Sequence, residues 1–329
     1  MEKEYFYIYC KGILGVKTNI RNFKWIYGSM APCGTKEEYE KCLVKFDICQ
    51  KPEKQLTQLN LCNKKFQAYS WNNDNKTICY RRKLPLNIEI GYNISICRND
   101  ITVEIGKNYY TFIKNRTMNL HGMYYLLSDV ANIVLLKNGL ITLYASAIFY
   151  EPFKKGIVNF AAPNTGKTFT ATRLCAMEGY SLVGEDIVIC DGYKAYSCPW
   201  TCSYRKNNNL SDSAGSFGRV NQSHQIKFND ECDITDLLIF SIGNKTFEKK
   251  AESNLRYISI LNGYLFNYYS SPIVKILGYF DESYYMNWNT YADEILENLI
   301  KQCECRLLQS DKSEEFPTKL HEIVSGEKV

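Results

Sequence analysis

The residues Ala161-Ala162-Pro163-Asn164-Thr165-Gly166-Lys167-Thr168 place small and turn-forming residues, a lysine and a hydroxyl in the order that phosphate chemistry uses. They follow a short apolar run, Gly156-Ile157-Val158-Asn159-Phe160, and open a helical pattern over residues 167–178. A strand, a tight turn and a helix start carrying Gly-Lys-Thr form the setting of a phosphate-binding P-loop. In that setting the loop N–H groups and the positive end of the helix dipole converge on phosphate oxygens. Lys167 is then expected to reach the β- and γ-phosphates, and the Thr168 hydroxyl to hold Mg²⁺. The expected nucleotide-binding set is Ala162, Pro163, Asn164, Thr165, Gly166, Lys167 and Thr168. The first position of the G-x-x-x-x-G-K-[ST] pattern is Ala161, which permits a similar loop if its φ stays negative.

Two carboxylates follow at a useful distance. Gly179 stands where a helix end favours a left-handed residue. The run Ser181-Leu182-Val183-Gly184-Glu185-Asp186-Ile187-Val188-Ile189-Cys190 then reads as one buried strand with Glu185 and Asp186 inside it. Unpaired charges are costly to bury, so a strand carrying both needs compensation, which a metal, Lys167 and a substrate hydroxyl would supply beside a P-loop. The intervening helix, about twelve residues or ~18 Å, is long enough to return the chain for a parallel strand.

These segments together resemble the HPr kinase/phosphorylase superfamily. The match runs through Leu143-Tyr144-Ala145-Ser146-Ala147-Ile148, the P-loop, and Glu178-Gly179-Tyr180-Ser181-Leu182-Val183-Gly184-Glu185-Asp186-Ile187-Val188, covering about residues 140–192. The family pattern reads roughly His-Ala-Ser-Ala-Val, Gly-x-Ser-Gly-x-Gly-Lys-Ser and Gly-x-x-Leu-Val-x-Asp-Asp-x-Val. The chain departs from it at Tyr144, Ala161 and Glu185, in place of His, Gly and Asp. The resemblance implies a P-loop core related to phosphoenolpyruvate carboxykinase, with ATP and Mg²⁺ as cofactors. It implies Glu185 as base toward an acceptor hydroxyl, Asp186 with Thr168 at the metal, and Lys167 on the phosphates. Glu185 remains capable of proton transfer, although its extra methylene moves the carboxylate by about one bond length.

Composition narrows the classes. With 329 residues the chain has room for one large or two modest domains. It contains no run of 18 apolar residues, and Met1-Glu2-Lys3-Glu4 is charged, so neither a membrane span nor a signal peptide is expected. Fourteen cysteines are scattered without a repeated framework, and Cys10, Cys79, Cys97 and Cys190 fall in strand patterns where a thiol acts as a small hydrophobe. A reducing cytoplasm is the expected compartment. The net charge of +5, from 40 basic and 35 acidic residues, is too diffuse for a nucleic-acid surface. Cys198-x-x-x-Cys202 and Cys303-x-Cys305 lack a clear partner pair and are not read as a zinc site.

The elements around the motif read as follows. Residues 1–117 form a β-rich region with strands expected at 5–10, 42–49, 65–69, 78–81, 88–90, 94–98 and 109–113. Its aromatic density, as at Tyr5, Phe6, Tyr7 and Tyr9, fits sheet packing better than peptide binding. Residues 118–309 form the P-loop core: a helix over 118–137, a strand over 140–150, the motif, and a strand over 237–242. A helix is expected around 255–264, and Thr290-x-x-Asp293 starts an amphipathic one. A long polar loop over 203–223 carries Arg205, Lys206 and Arg219, precedes His224, and could close over a phosphate. Residues 310–329 read as a charged, frayed tail. The expected fold is α/β, an HPr-kinase-like core of mixed sheet flanked by helices and preceded by the β-rich region.

The expected function is ATP- and Mg²⁺-dependent transfer of the γ-phosphoryl group to a hydroxyl. The acceptor would be a serine of a peptide or protein, or a small serine-like molecule. Carboxykinase-type transfer and a non-catalytic nucleotide-binding regulator are the alternatives. Partners are then a nucleotide and the acceptor, with no nucleic acid and no membrane, and a homo-oligomer as a possible form.

Overall fold

The computed structural model describes residues 3–23, 33–57, 64–74, 76–114, 123–185, 187–197, 226–250, 258, 272–278 and 288–326. The protein is α/β, with mixed sheets and helices in two compact units, Met1–Val134 with Ser270–Trp288 and Leu135–Tyr269 with Asn289–Val329.

The first unit is built on β1 (Tyr5–Cys10), β2 (Leu14–Thr18), β3 (Val44–Lys51), β4 (Lys64–Phe66), β5 (Tyr69–Asn72), β6 (Thr77–Lys83), β7 (Glu89–Cys97) and β8 (Asp100–Gly106). They form an 8-stranded sheet in the order β1-β2-β3-β8-β7-β6-β5-β4. The β2–β3 pair is parallel and so needs a crossover, which holds the short helix α1 (Lys36–Glu40). Thr35 and Glu38 close a capping box at its start. Tyr7 and Tyr9 are buried in the core, as packing requires of alternating strand residues.

Residues 109–113 form no strand. They lie in the helix α2 (Lys107–Lys114), although their aromatic and β-branched side chains favour extended backbone. Tertiary contacts decide otherwise. Glu53 Oε1 accepts from the backbone N–H groups of Asn108 (2.5 Å) and Tyr109 (3.2 Å), satisfying donors that a helix start leaves open. Tyr109 itself packs 5.0 Å from Tyr92, which stacks on Tyr80 in the adjacent strand at 5.0 Å. Sequence reading also misses β2 and β8 and splits β7 in two. Cys97 lies in a strand, β7, as expected, but it is exposed there and is not a packed hydrophobe.

A polar network pins the segment after β3 to this sheet. Glu104 accepts from Lys51 Nζ (2.6 Å), Thr57 N (3.0 Å), Thr57 Oγ1 (2.9 Å) and Asn93 Nδ2 (2.8 Å). Burial by itself would raise the Glu104 carboxyl; the Lys51 ammonium and the neutral donors outweigh it and hold the pKa at about 2. Folding thus lowers this pKa from 4.5, so the stabilisation is complete above pH 4.5 and is lost as pH falls toward about 2. Lys51 is one-third exposed, which screens part of the pair. Glu104→Gln is expected to cost about 2 kcal/mol at pH 7 and to flatten the acid limb between those pH values. Hydrogen exchange of the β3–β8 ladder amides in both proteins, from pH 7 to 3, checks this; parallel pH profiles would refute it.

The helix α3 (Met123–Lys137) ends at Gly139, whose φ of +74° is the left-handed terminator expected there. The second unit then contains β9 (Ile141–Leu143), β10 (Ala145–Tyr150), β11 (Lys155–Ala161), α4 (Lys167–Cys175), β12 (Tyr180–Gly184), β13 (Val188–Cys190), β14 (Lys194–Ser197), β15 (Glu231–Asp233), β16 (Asp236–Ile242) and β17 (Phe247–Lys250). After α5 (Pro272–Gly278), which belongs to the first unit, come α6 (Trp288–Gln302), β18 (Glu304–Ser310) and α7 (Phe316–Ser325). A 6-stranded sheet runs β12-β10-β11-β16-β18-β17, and a 4-stranded sheet runs β15-β14-β13-β9.

The segment beyond Ser310 is no frayed tail. Phe316, Leu320 and Val324, spaced four apart, are buried against α4 and the 6-stranded sheet. The Phe316 ring stacks on Phe240 at 4.6 Å, and burying such a ring contributes about 2–3 kcal/mol, more than a fraying end loses. The charged residues sit on the other side of this helix and obscure a perfectly spaced apolar stripe. Among the described residues, no helix is long and apolar enough to cross a membrane.

Candidate functional site

Two segments that read as single strands are both broken, and the breaks face each other. The run over 140–150 divides at Tyr144 into β9 and β10, and the run over 181–190 divides after Gly184 into β12 and β13. Leu143 pairs with Val188 in one sheet, whereas Ala147 pairs with Gly184 in the other. Tyr144 on one segment and Glu185 and Ile187 on the other therefore stand where each passes from one sheet to the next. Gly184 permits the break: a Cβ there would meet Val188 Cγ2 at 2.7 Å and Ile187 O at 3.0 Å.

The turn between β11 and α4 opens onto the same place. In β10 and β11 Ala145 pairs with Phe160, so the end of β11, the start of β10 and the end of β12 lie along one sheet edge. β11 and β12 are two strand spacings apart, about 10 Å, with β10 between them. Beneath this edge the buried Asn159 donates to Ser146 Oγ across the two strands at 3.3 Å. β16 and β18 run parallel to β11, so their carboxyl ends reach this edge as well, the position where open α/β sheets bind ligands.

Ala161 closes β11, paired with Phe240, and its φ is not positive, so the alanine departure leaves the loop entry undisturbed. The turn itself uses two left-handed residues, Asn164 at φ +63° and Gly166 at φ +109°. Alternation of this kind folds backbone N–H groups into an anion-binding concavity. Thr165 Oγ1 braces the turn by donating to Ala162 O at 2.8 Å, while Pro163 and Asn164 at its crest are exposed. Gly166 O accepts from Thr170 N at 2.9 Å and starts α4, whose positive end thereby faces the loop. A side chain at Gly166 would be strained by its φ and would meet Ser313 Cβ at 2.9 Å, because the turn after β18 packs on the loop.

Lys167 is only 5% exposed. Its Nζ donates to Ala161 O at 2.8 Å, lies 3.4 Å from Ala162 O and sits 4.0 Å from the centroid of the Tyr144 ring. Thr168 is half-buried on the first turn of α4. Glu185 is 8% exposed just beyond β12, on the edge already described. Its expected position inside a continuous strand is corrected: it stands in the break. Asp186 lies outside the described residues, as do the loop over 203–223 with Arg205, Lys206 and Arg219, His224, and the Cys198–Cys202 pair. The helix expected over 255–264 lies outside them too, apart from Ile258.

The residues present fit a nucleotide's phosphates: a concave loop with an exposed crest, a helix start and a lysine that donates to backbone carbonyls and lies against a ring. Among the described residues no group of three or more His, Cys, Asp or Glu gathers as a metal cluster. Cys305 and Cys42 are buried and their thiols pushed up to about 11, so they remain protonated hydrophobes.

Two features escape sequence reading. Tyr144, visible only as a departure from His, supplies a ring beneath the P-loop lysine. The turn at Ser313 backs the loop glycine, and only the i, i+4 spacing of Phe316, Leu320 and Val324 signals that this segment is structured.

No family model matches the chain, and no curated protein matches it. Among solved structures the chain is similar to the Hpr(Ser) kinase/phosphatase from Coxiella burnetii, at 9% identity over 56% of this chain and 94% of that one, with a TM-score of 0.29. An overlap of that size decides nothing about the site.

Proposed function

We propose that the second unit is an HPr-kinase-like P-loop core that binds ATP and Mg²⁺ and phosphorylates a hydroxyl. The observation that carries the reading is the convergence of the Gly166-Lys167-Thr168 loop and the buried Glu185 on one sheet edge. The sequence resemblance over residues 140–192 supports it independently. Phosphoryl transfer asks little covalent work of a protein; positioning and charge neutralisation dominate. The loop amides and α4 would cradle the phosphates, and Lys167 would turn from its carbonyl partners to the β- and γ-oxygens. Mg²⁺, held by Thr168 and Asp186, would neutralise charge that develops on those oxygens. Glu185 would take the proton of the acceptor hydroxyl as that oxygen bonds to the γ-phosphorus and ADP leaves.

The acceptor class proposed is a serine side chain of a peptide or protein, or free serine. The purified protein is expected to hydrolyse γ-³²P-ATP slowly alone and to label one such acceptor when Mg²⁺ is present. A serine peptide panel drawn from neighbouring gene products, with free serine, tests this. Tight ATP binding with no labelled acceptor would replace the kinase by a nucleotide-binding regulator, and absence of ATP binding would end both readings.

A further inference from the structure

We infer that Tyr144 is the positioning residue of the P-loop lysine, holding its ammonium beside the loop, against the face of the ring, from where it reaches bound phosphates. The inference deepens the kinase reading and rests on it for the ligand, although the contact itself does not. Three observations support it. The Lys167 ammonium is 4.0 Å from the Tyr144 centroid, well inside the ~6 Å reach of a cation–π contact. Lys167 is 5% exposed, so its charge has given up water and depends on what replaces it. Tyr144 stands in the strand break, between Leu143 in one sheet and Ala145 in the other, so its backbone is fixed on both sides by a ladder.

The chemistry of the partner matters. A carboxylate in this place would pair with the ammonium and compete with phosphate for its charge. An imidazole would titrate near neutrality and repel the ammonium once protonated. A phenol ring offers a negative face without formal charge and stays neutral up to about pH 10. The ring thus leaves the ammonium's N–H donors to oxygen ligands instead of competing for them.

The effect can be measured on the full-length protein with Tyr144→Phe, Tyr144→Leu and Tyr144→His, after equal thermal midpoints confirm folding. ATP titration by calorimetry is expected to give Tyr144→Phe within about twofold of wild type, since the ring face is retained. Tyr144→Leu, which keeps bulk but has no π-face, is expected to weaken binding about threefold to thirtyfold. Tyr144→His is expected to add a fall in affinity below about pH 6.5 that wild type lacks. A second measurement needs no nucleotide: acylation of Lys167 by acetic anhydride, followed by peptide mass spectrometry, is expected to speed up severalfold in Tyr144→Leu and not in Tyr144→Phe. If Leu matches Phe in both measurements, or if ATP affinity ignores the ring while acylation responds, the positioning role is overturned. If wild type takes no ATP, the kinase reading fails, and the acylation series still decides whether the ring holds the lysine.

Discussion

Glu185→Gln is expected to leave ATP binding within about twofold of wild type and to lower phosphoryl transfer by about 10²–10⁴-fold, the usual worth of a positioned general base. The substitution is isosteric, so the packing of a side chain only 8% exposed is conserved and the loss falls on proton transfer. Glu185 stands two strand spacings from the P-loop strand, close enough for an acceptor hydroxyl to lie between the carboxylate and a bound γ-phosphate. Calorimetry with ATP and initial rates of acceptor labelling separate the two effects. Unchanged turnover would remove Glu185 from the chemistry, and lost ATP binding would make it a structural or metal-supporting group instead.

Lys167→Ala is expected to weaken ATP binding tenfold or more, because the point charge on the β- and γ-phosphates disappears. The empty protein should tolerate the change. The substitution removes a charge that is costly to bury, while the carbonyls of Ala161 and Ala162 lose a donor, and the two effects oppose each other. Nucleotide titration of both proteins, with thermal midpoints as a folding control, gives the answer. An equal ATP response in wild type and variant would mean that the loop does not hold phosphates.

Much of the site is legible before any fold is known, and the reason is local. Asn164 and Gly166 take positive φ because Asn and Gly tolerate it, and for the same reason Gly139 follows the end of α3 and Gly179 turns the chain into β12, although α4 itself already ends at Cys175. Alternating and continuous apolar runs place β1, β11 and β16 with little error. The errors fall where a distant partner decides. Tyr109 and its neighbours are helical because Glu53, far back in the chain, satisfies the helix start and a tyrosine cluster receives the ring. Phe316–Ser325 is ordered because Phe240 and α4 bury its apolar stripe.

By itself, then, the amino-acid sequence determined the turn over residues 161–168 with its strand and helix, since turn chemistry and periodicity act over a few residues. The tertiary structure decided that β9–β10 and β12–β13 break at one level, that Glu185 stands in the break, and that Tyr144 brings a ring to Lys167. Strand pairing sets those positions, and pairing is a contact between segments about forty residues apart. No window along the chain contains both partners, so their meeting becomes visible only when the sheets form.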